Sequence, residues 1–425
     1  MLPSVSADLR KVAGNCALFV ALAGAAGCSG SEDRPVAPVA YDAAHDAGAD
    51  APSGPDGTDE IEIESGGDRS SAADALAETS APDGPAEALD DVVGDSAILD
   101  ASVDSTSAMP PMPMSSLAAT GLFTGINADG TLKLASGVEP FEPKYALWSD
   151  GADKTRWVYL PPGSKIDTSD PDHWSFPVGT KFWKEFSISG KRVETRLIER
   201  FGPGPNDFLY AAYWWKPNDA GQATDASLAS PDDGVPSANG TTHDIPARKH
   251  CAQCHDALQE HILGFGALEL AHTRPGATVT TLAQAGRFTK PLPSNLDFPG
   301  PDAMTKDALG YLHANCGNCH NTTPGVFMIP EPRMVLRIFV GQTLADTGAY
   351  KTALNAEVTK YMHPMAPTIQ YRIAGGDAAH SCVSFRMTSL TMTDRMPPIA
   401  SKVADTQGIA AVNAWIATLP PRPNP

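Results

Sequence analysis

Four of the seven cysteines form two matching patterns, in which a C-x-x-C pair is followed directly by histidine. Thiols at this spacing can reach the two vinyl groups of one porphyrin, and the adjacent imidazole can then bind the iron. The patterns therefore predict two covalently bound haem c groups with His255 and His320 as axial iron ligands. The thiols that would attach them are Cys251 and Cys254 in the first motif and Cys316 and Cys319 in the second.

Two other uses of these cysteines are open. The two pairs could form a tetrathiolate zinc site, although zinc does not require a histidine after each pair and 61 residues separate Cys254 from Cys316. They could also form disulfides or redox thiols, although a C-x-x-C pair closes a loop too short to stabilise much. Cys382 has no partner and is predicted to be a small buried hydrophobic residue.

The sixth iron ligand is predicted for the second haem only. Arg395-Met396-Pro397-Pro398 precedes the last helical pattern, and the two prolines stiffen the chain beside Met396, which favours Met396 as the thioether ligand opposite His320. Met387 and Met392 are nearby, so Met396 could instead be a core methionine. For the first haem the position could be open or bound to water, and the candidate side chains are His261, His272, Met304, His313 and His363.

The N-terminus has the pattern of an export signal. Arg10 and Lys11 precede a short apolar run that ends in small residues at Cys28. This resembles a bacterial lipoprotein signal, although Ala25 stands where that pattern usually has Leu. The resemblance implies that residues 1–28 direct export, that Cys28 carries lipid, and that Ser29 favours the outer membrane. An ordinary secretory signal is the alternative.

The charge of the chain is concentrated in one segment. The 425 residues carry a formal charge of −19, of which residues 29–110 hold −18 and residues 111–425 only −2. Residues 29–110 lack Trp and Phe and are rich in Ala, Asp, Gly, Ser and Pro, which predicts a disordered acidic tether. The nearly neutral remainder has no basic patch, which excludes a nucleic-acid binder as a function class.

Residues 111–240 are predicted to form a β-rich domain of antiparallel strands joined as hairpins. Short runs with alternating apolar residues lie between turn signals such as Pro161-Pro162-Gly163 and Ser189-Gly190. The predicted strands are 155–160, 181–188, 193–198 and 208–215. Their aromatic residues indicate core packing, with a sugar-binding face as the alternative. The sequence contains no nucleophile elbow, phosphate-binding loop or H-E-x-x-H motif.

The fold class predicted for the whole chain is α+β, with mostly α-helical cytochrome c-like haem domains after the β-rich part. Residues 241–300 are expected to form a first haem-binding segment, whose entry helix is short because Pro246 precedes the motif. Residues 301–425 are expected to form the second haem domain, with a helix capped by Thr305 and a last helix starting at Asp405. A helix leading into C-x-x-C-H and a second helix crossing it resemble a class I cytochrome c.

The order of motifs over about residues 117–419 resembles a family of bacterial di-haem c-type cytochrome lipoproteins. The pieces that carry this resemblance, besides the two haem motifs and Met396-Pro397-Pro398, are Leu147-Trp148-Ser149-Asp150, Phe176-Pro177-Val178-Gly179-Thr180, Val193-Glu194-Thr195-Arg196-Leu197 and Leu263-Gly264-Phe265. The resemblance implies two haems and export, without an established reaction.

Together these features predict an exported, lipid-anchored electron carrier rather than a catalyst. It would lie on the periplasmic side or the surface of the outer membrane, held by its lipid, and exchange electrons with a redox partner protein of unknown identity. The alternatives are a di-haem enzyme, such as a peroxidase-like one with an open first haem, and a sensor or binding module in which the β-rich part binds a partner or glycan.

Overall fold

The main sheet is antiparallel and six-stranded. A computed structural model describes residues 109–218, 223–323, 333–359, 366 and 368–421. After a separate hairpin of β1 (Phe123–Ile126) and β2 (Leu132–Leu134), the sheet runs in chain order through β3 (Val138–Pro140), β4 (Asp153–Tyr159), β5 (Lys181–Ile188), β6 (Lys191–Arg200), β7 (Phe208–Trp214) and β8 (Ser227–Leu228). The four predicted strands are confirmed as β4 to β7.

The turn between β5 and β6 explains why these two strands pair. Ser189 and Gly190 both have positive φ, 50° and 73°, which is the conformation of a two-residue type I′ hairpin turn. This turn continues the right-handed twist of the flanking strands. A register shift between Phe186 and Ser187 then moves the pairing by one residue, so Lys184 lies opposite Arg196 and Trp183 opposite Leu197.

The two faces of the sheet belong to different cores. One face presents Trp157, Trp183, Leu197 and Tyr213, which pack with Leu117 and Leu122. The opposite face presents Val158 and Phe182, which pack around Phe265 together with Phe141 and Trp174. Because side chains alternate along a strand, the second face also carries Arg156, Lys184 and Arg196. We call it the α1 face, since helix α1 contacts strand β7 there.

Five α-helices occur in the described residues. They are α1 (Arg248–His255), α2 (Val279–Gln284), α3 (Ala303–Asn315), α4 (Cys382–Thr388) and α5 (Thr406–Thr418). The Asp405 side chain accepts a hydrogen bond from the Gly408 N–H at 2.9 Å, which confirms the predicted start of α5. The predicted N-cap of α3 was wrong: Asp302, not Thr305, caps that helix and accepts from the Thr305 N–H.

Helices α3 and α5 pack directly on each other. Leu312 on α3 and Trp415 on α5 are buried in one core. Tyr311 lies against Gly408, where an added Cβ would come 2.1 Å from the tyrosine ring. Gly408 therefore permits a close crossing of the two helices.

The protein is of mixed α+β class with antiparallel sheets. Between α3 and α5 most of the described chain has no regular helix, so helices form less of residues 301–421 than the sequence predicts. No helix within the described ranges is long and apolar enough to cross a bilayer. The predicted signal segment with Cys28, and all but the last two residues of the predicted tether, lie outside the described residues.

Candidate functional site

The first C-x-x-C-H motif forms most of helix α1, which lies on the sheet. The helix begins at Arg248, so only three residues precede Cys251, in line with the short entry helix predicted from Pro246. The His255 ring lies beside Tyr210 of β7, with 5.4 Å between ring centroids. Cys251 and Cys254 are half-buried. The sheet therefore provides the support that a longer helix would otherwise provide.

The orientation of the His255 ring is fixed by one backbone group. Its Nδ1 lies 2.6 Å from the carbonyl oxygen of His261, so Nδ1 carries the proton and donates. This leaves Nε2 with a free lone pair, as in the metal-ligating histidines whose other ring nitrogen is held by a carbonyl. Burial lowers the pKa of His255 to about 4, so the ring is neutral at pH 7.

The second motif follows directly after α3. The Cys316 N–H donates to the Leu312 carbonyl, and the His320 N–H donates to the Cys316 carbonyl at 2.8 Å. Within the described residues the buried Nδ1 of His320 has no hydrogen-bond partner, although the nearby backbone of Met334 favours the protonated ring. Burial lowers the pKa of His320 to about 4. Both imidazoles are thus neutral, as iron ligation requires.

Glycine is required inside the second motif. A Cβ at Gly317 would lie 2.6 Å from the His313 carbonyl oxygen and 2.9 Å from the Cα of Arg337. The backbone of residues 336 and 337 also donates two hydrogen bonds to the His320 carbonyl, at 2.7 and 3.2 Å. The loop is therefore held tightly against this neighbouring segment.

The two motifs lie near each other. Burial raises the pKa of Cys319 to about 11, and the charge of Cys254 contributes to this increase. Burial likewise raises the pKa of Cys251 to about 11 and that of Cys316 to about 12. All four side chains are thiols at pH 7, and two redox groups attached to them would be close neighbours.

The residues present fit covalent haem better than zinc or disulfides. In the part of the chain that the structure describes, no three His, Cys, Asp or Glu side chains gather as a metal-binding group. The five cysteines of those residues are free thiols. The half-buried pairs, each followed by a neutral imidazole, suit thioether attachment of a porphyrin and axial ligation of its iron.

Met396 is half-buried, and its backbone is bound to that of Arg386 on helix α4. The Met396 N–H donates to the Arg386 carbonyl at 2.9 Å, and the Arg386 charge contributes to lowering the pKa of His320. Met387 is buried in the core, whereas Met392 is 77% exposed. The role of Met396 as distal ligand stays a prediction, and among the three methionines its position suits that role best.

The structure narrows the candidates for the first haem's sixth ligand. Both ring nitrogens of His272 are engaged, by the Glu142 carbonyl and the Arg274 N–H. Both ring nitrogens of His313 are engaged by Glu269 and by the Ile338 N–H. The backbone carbonyl of His261 accepts the hydrogen bond from Nδ1 of His255. Met304 is 45% exposed. His363 lies outside the described residues.

The Trp148-Ser149-Asp150 motif joins the two sides of the second site. The Trp148 N–H donates to the Asn315 side chain at 2.7 Å, directly before Cys316. Asp150 receives the Val403 N–H at 2.9 Å and donates its own N–H to the Ala400 carbonyl at 3.0 Å. The motif therefore fixes the segment that follows Met396-Pro397-Pro398.

Several residues near the site were not found from the sequence. The Arg337 guanidinium donates to Glu260 at 2.7 Å, beside a small cavity that Trp174 and His313 also line. Lys184 lies opposite Arg196 on the α1 face of the sheet. The sequence did contain a signal for Lys184: it lies two residues from both Phe182 and Phe186, so alternation places it on the same face of the strand as these two aromatic residues.

Comparison of the chain with family models, with curated proteins and with solved structures found no match.

Proposed function

We propose that the protein is an exported electron-transfer protein with two covalently bound haem c groups, anchored by lipid at Cys28. The observation that carries this proposal is the arrangement of His255, whose Nδ1 donates to the His261 carbonyl while two half-buried thiols lie on the same helix turn. A histidine oriented in this way presents Nε2 to the iron of a porphyrin held by those thiols.

The second motif supports a six-coordinate site. His320 is neutral and half-buried, and Asp150 fixes the segment that follows Met396 through its contacts with Val403 and Ala400. Ligation by Met and His raises the potential of a haem and leaves no open position for a substrate. The close crossing of α3 and α5 through Tyr311 and Gly408 supports a class I cytochrome c-like arrangement around this site.

Bound haem supplies a one-electron redox centre, and the chain's own residues hold it. The thiols of each motif would attach the porphyrin, the imidazoles of His255 and His320 would bind its iron, and the core around Trp415 and Leu312 would exclude water on the side of α3 and α5. Because the Glu260–Arg337 ion pair joins the loops of the two motifs, the two centres would lie close enough to exchange electrons within one molecule.

A di-haem enzyme is the second candidate, and one observation favours it. His272 and His313 use both ring nitrogens in hydrogen bonds, so neither can bind the first haem without breaking them. An open iron position at His255 would let a small molecule such as peroxide bind there, with the second haem as the electron source.

The experiment that separates the two is a visible and electron spin resonance spectrum of the matured protein, recorded with and without cyanide. Two low-spin haems that do not bind cyanide support an electron carrier. A high-spin first haem that binds cyanide or reacts with peroxide would overturn the carrier proposal in favour of the enzyme.

A further inference from the structure

Three cations lie in register across the α1 face of the sheet. Lys184 on β5 pairs directly with Arg156 on β4 and with Arg196 on β6. Side chains directly opposite each other on neighbouring strands share a face, and like charges in such pairs destabilise a sheet. The row therefore costs stability unless negative charge lies over it.

Among the described residues, a carboxylate binds this row directly at one end only. Glu194 binds Arg196 through both oxygens, at 2.7 and 2.9 Å, and His243 contacts the same carboxylate at 2.7 Å. Within the described ranges neither Arg156 nor Lys184 forms an ion pair, and the Lys184 ammonium lies 5.0 Å from the centre of the Phe186 ring. Neither cation thus has a direct carboxylate partner there, and Glu142, whose charge acts on Arg156, is itself bound by Arg274.

The pKa values of Arg156 and Lys184 are both lowered. Burial lowers the pKa of Arg156 to about 10. Burial and the neighbouring Arg156 charge lower the pKa of Lys184 well below its ordinary value of 10.5. Arg156 is only 5% exposed, so solvent does little to compensate its charge.

The row leads away from the thiols of the first motif. Helix α1 contacts β7, where His255 lies beside Tyr210, and β6 with Arg196 is the strand next to β7, whereas Arg156 lies on β4. Two strand spacings, roughly 10 Å, separate Arg196 from Arg156. The vinyl groups that react with thiols and the two propionates of haem lie at opposite edges of the porphyrin. A haem attached at the Arg196 end would extend its propionates along the row.

We propose that Arg156 and Lys184 bind the propionate carboxylates of the haem attached at Cys251 and Cys254. This inference rests on the proposed function, because it requires a haem at the first motif. The two propionates would neutralise the charges of Arg156 and Lys184. This accounts for the presence of like charges side by side on the α1 face. A cation near the haem also destabilises the oxidised iron, which raises the midpoint potential.

The test uses full-length protein matured in a bacterial periplasm, with Arg156→Gln and Lys184→Gln as the variants. Lys191→Gln is the matched control, because Lys191 is exposed at the start of β6 and loses the same charge. The readouts are redox titration at low salt and the propionate bending modes in resonance Raman spectra. We expect both variants, and not the control, to lower the potential of the first haem and shift its propionate modes.

Unchanged potentials and modes in both variants, with two haems present by mass, would overturn this inference and leave the proposed function standing. A wild-type protein without haem at Cys251 and Cys254 would overturn both. If Lys184→Gln does not fold, Arg156→Gln decides alone, because Arg156 lies further from the attachment thiols. The second haem is identified in the titration by its response to Met396→Ala.

Discussion

Glu260 and Arg337 form a buried ion pair, 2.7 Å between Oε1 and Nη2, that joins the loops of the two haem motifs. Glu260 directly precedes His261, whose carbonyl holds the His255 ring. The backbone N–H of Arg337 donates to the His320 carbonyl. A single ion pair therefore connects the backbone contacts that fix both proximal histidines.

The pair should be strongly coupled in stability. We expect Glu260→Leu or Arg337→Met alone to cost about 3–5 kcal/mol, because each leaves a buried charge without its partner. The double variant Glu260→Leu with Arg337→Met should recover most of this loss, since apolar side chains of similar volume replace both charges. Denaturant unfolding of the four proteins measures the coupling. Additive losses in the double variant would contradict it.

Replacement of Met396 should change the second haem only. Met396→Ala is expected to remove the charge-transfer band of the iron–sulfur bond and to lower the midpoint potential, because thioether ligation raises it. Met392→Ala is the control, since Met392 is 77% exposed and should leave the spectrum unchanged. If the band survives in Met396→Ala, another residue is the ligand.

Asp150 should affect the same ligand from a distance. Its side chain accepts the Val403 N–H, and its φ is 49°. Asp150→Gly removes this acceptor in a backbone conformation that glycine adopts readily, so we expect the iron–sulfur band to be lost at a lower temperature than in the wild type. Asp150→Asn keeps an acceptor oxygen and tolerates positive φ, so it should behave like the wild type. Equal melting of the band in all three proteins would show that this contact does not support Met396.

His272 and His313 should not ligate the first haem. His272→Ala and His313→Ala are both expected to leave its spin state unchanged, because their ring nitrogens are already hydrogen-bonded. His313→Ala should also lower the free energy of unfolding by about 1–3 kcal/mol, since buried polar groups lose their partner. A change to high-spin iron in either variant would identify that histidine as a ligand.

The sequence predicted best what depends on local patterns. Alternation located β4 to β7, Ser189-Gly190 marked a hairpin, and Asp405 marked the start of α5. The N-cap of α3 was misplaced because Asp302 and Thr305 both suit such a position, and the choice depends on which side chain meets a free N–H.

Contacts between distant residues could not be predicted in this way. Glu260 and Arg337 are far apart in the chain, and no periodicity relates them. The row of Arg156, Lys184 and Arg196 depends on strand register, which only the folded sheet defines. The sequence therefore indicated the haem-binding chemistry, while the folded chain showed which residues support it.

The intact mass of the protein matured in a periplasm, with the peptides around Cys251 and Cys316 mapped, tests the central claim most directly. We predict a mass greater by two haems than that of the processed polypeptide, with one haem on each peptide. Zinc, or free thiols at the four cysteines, would contradict it.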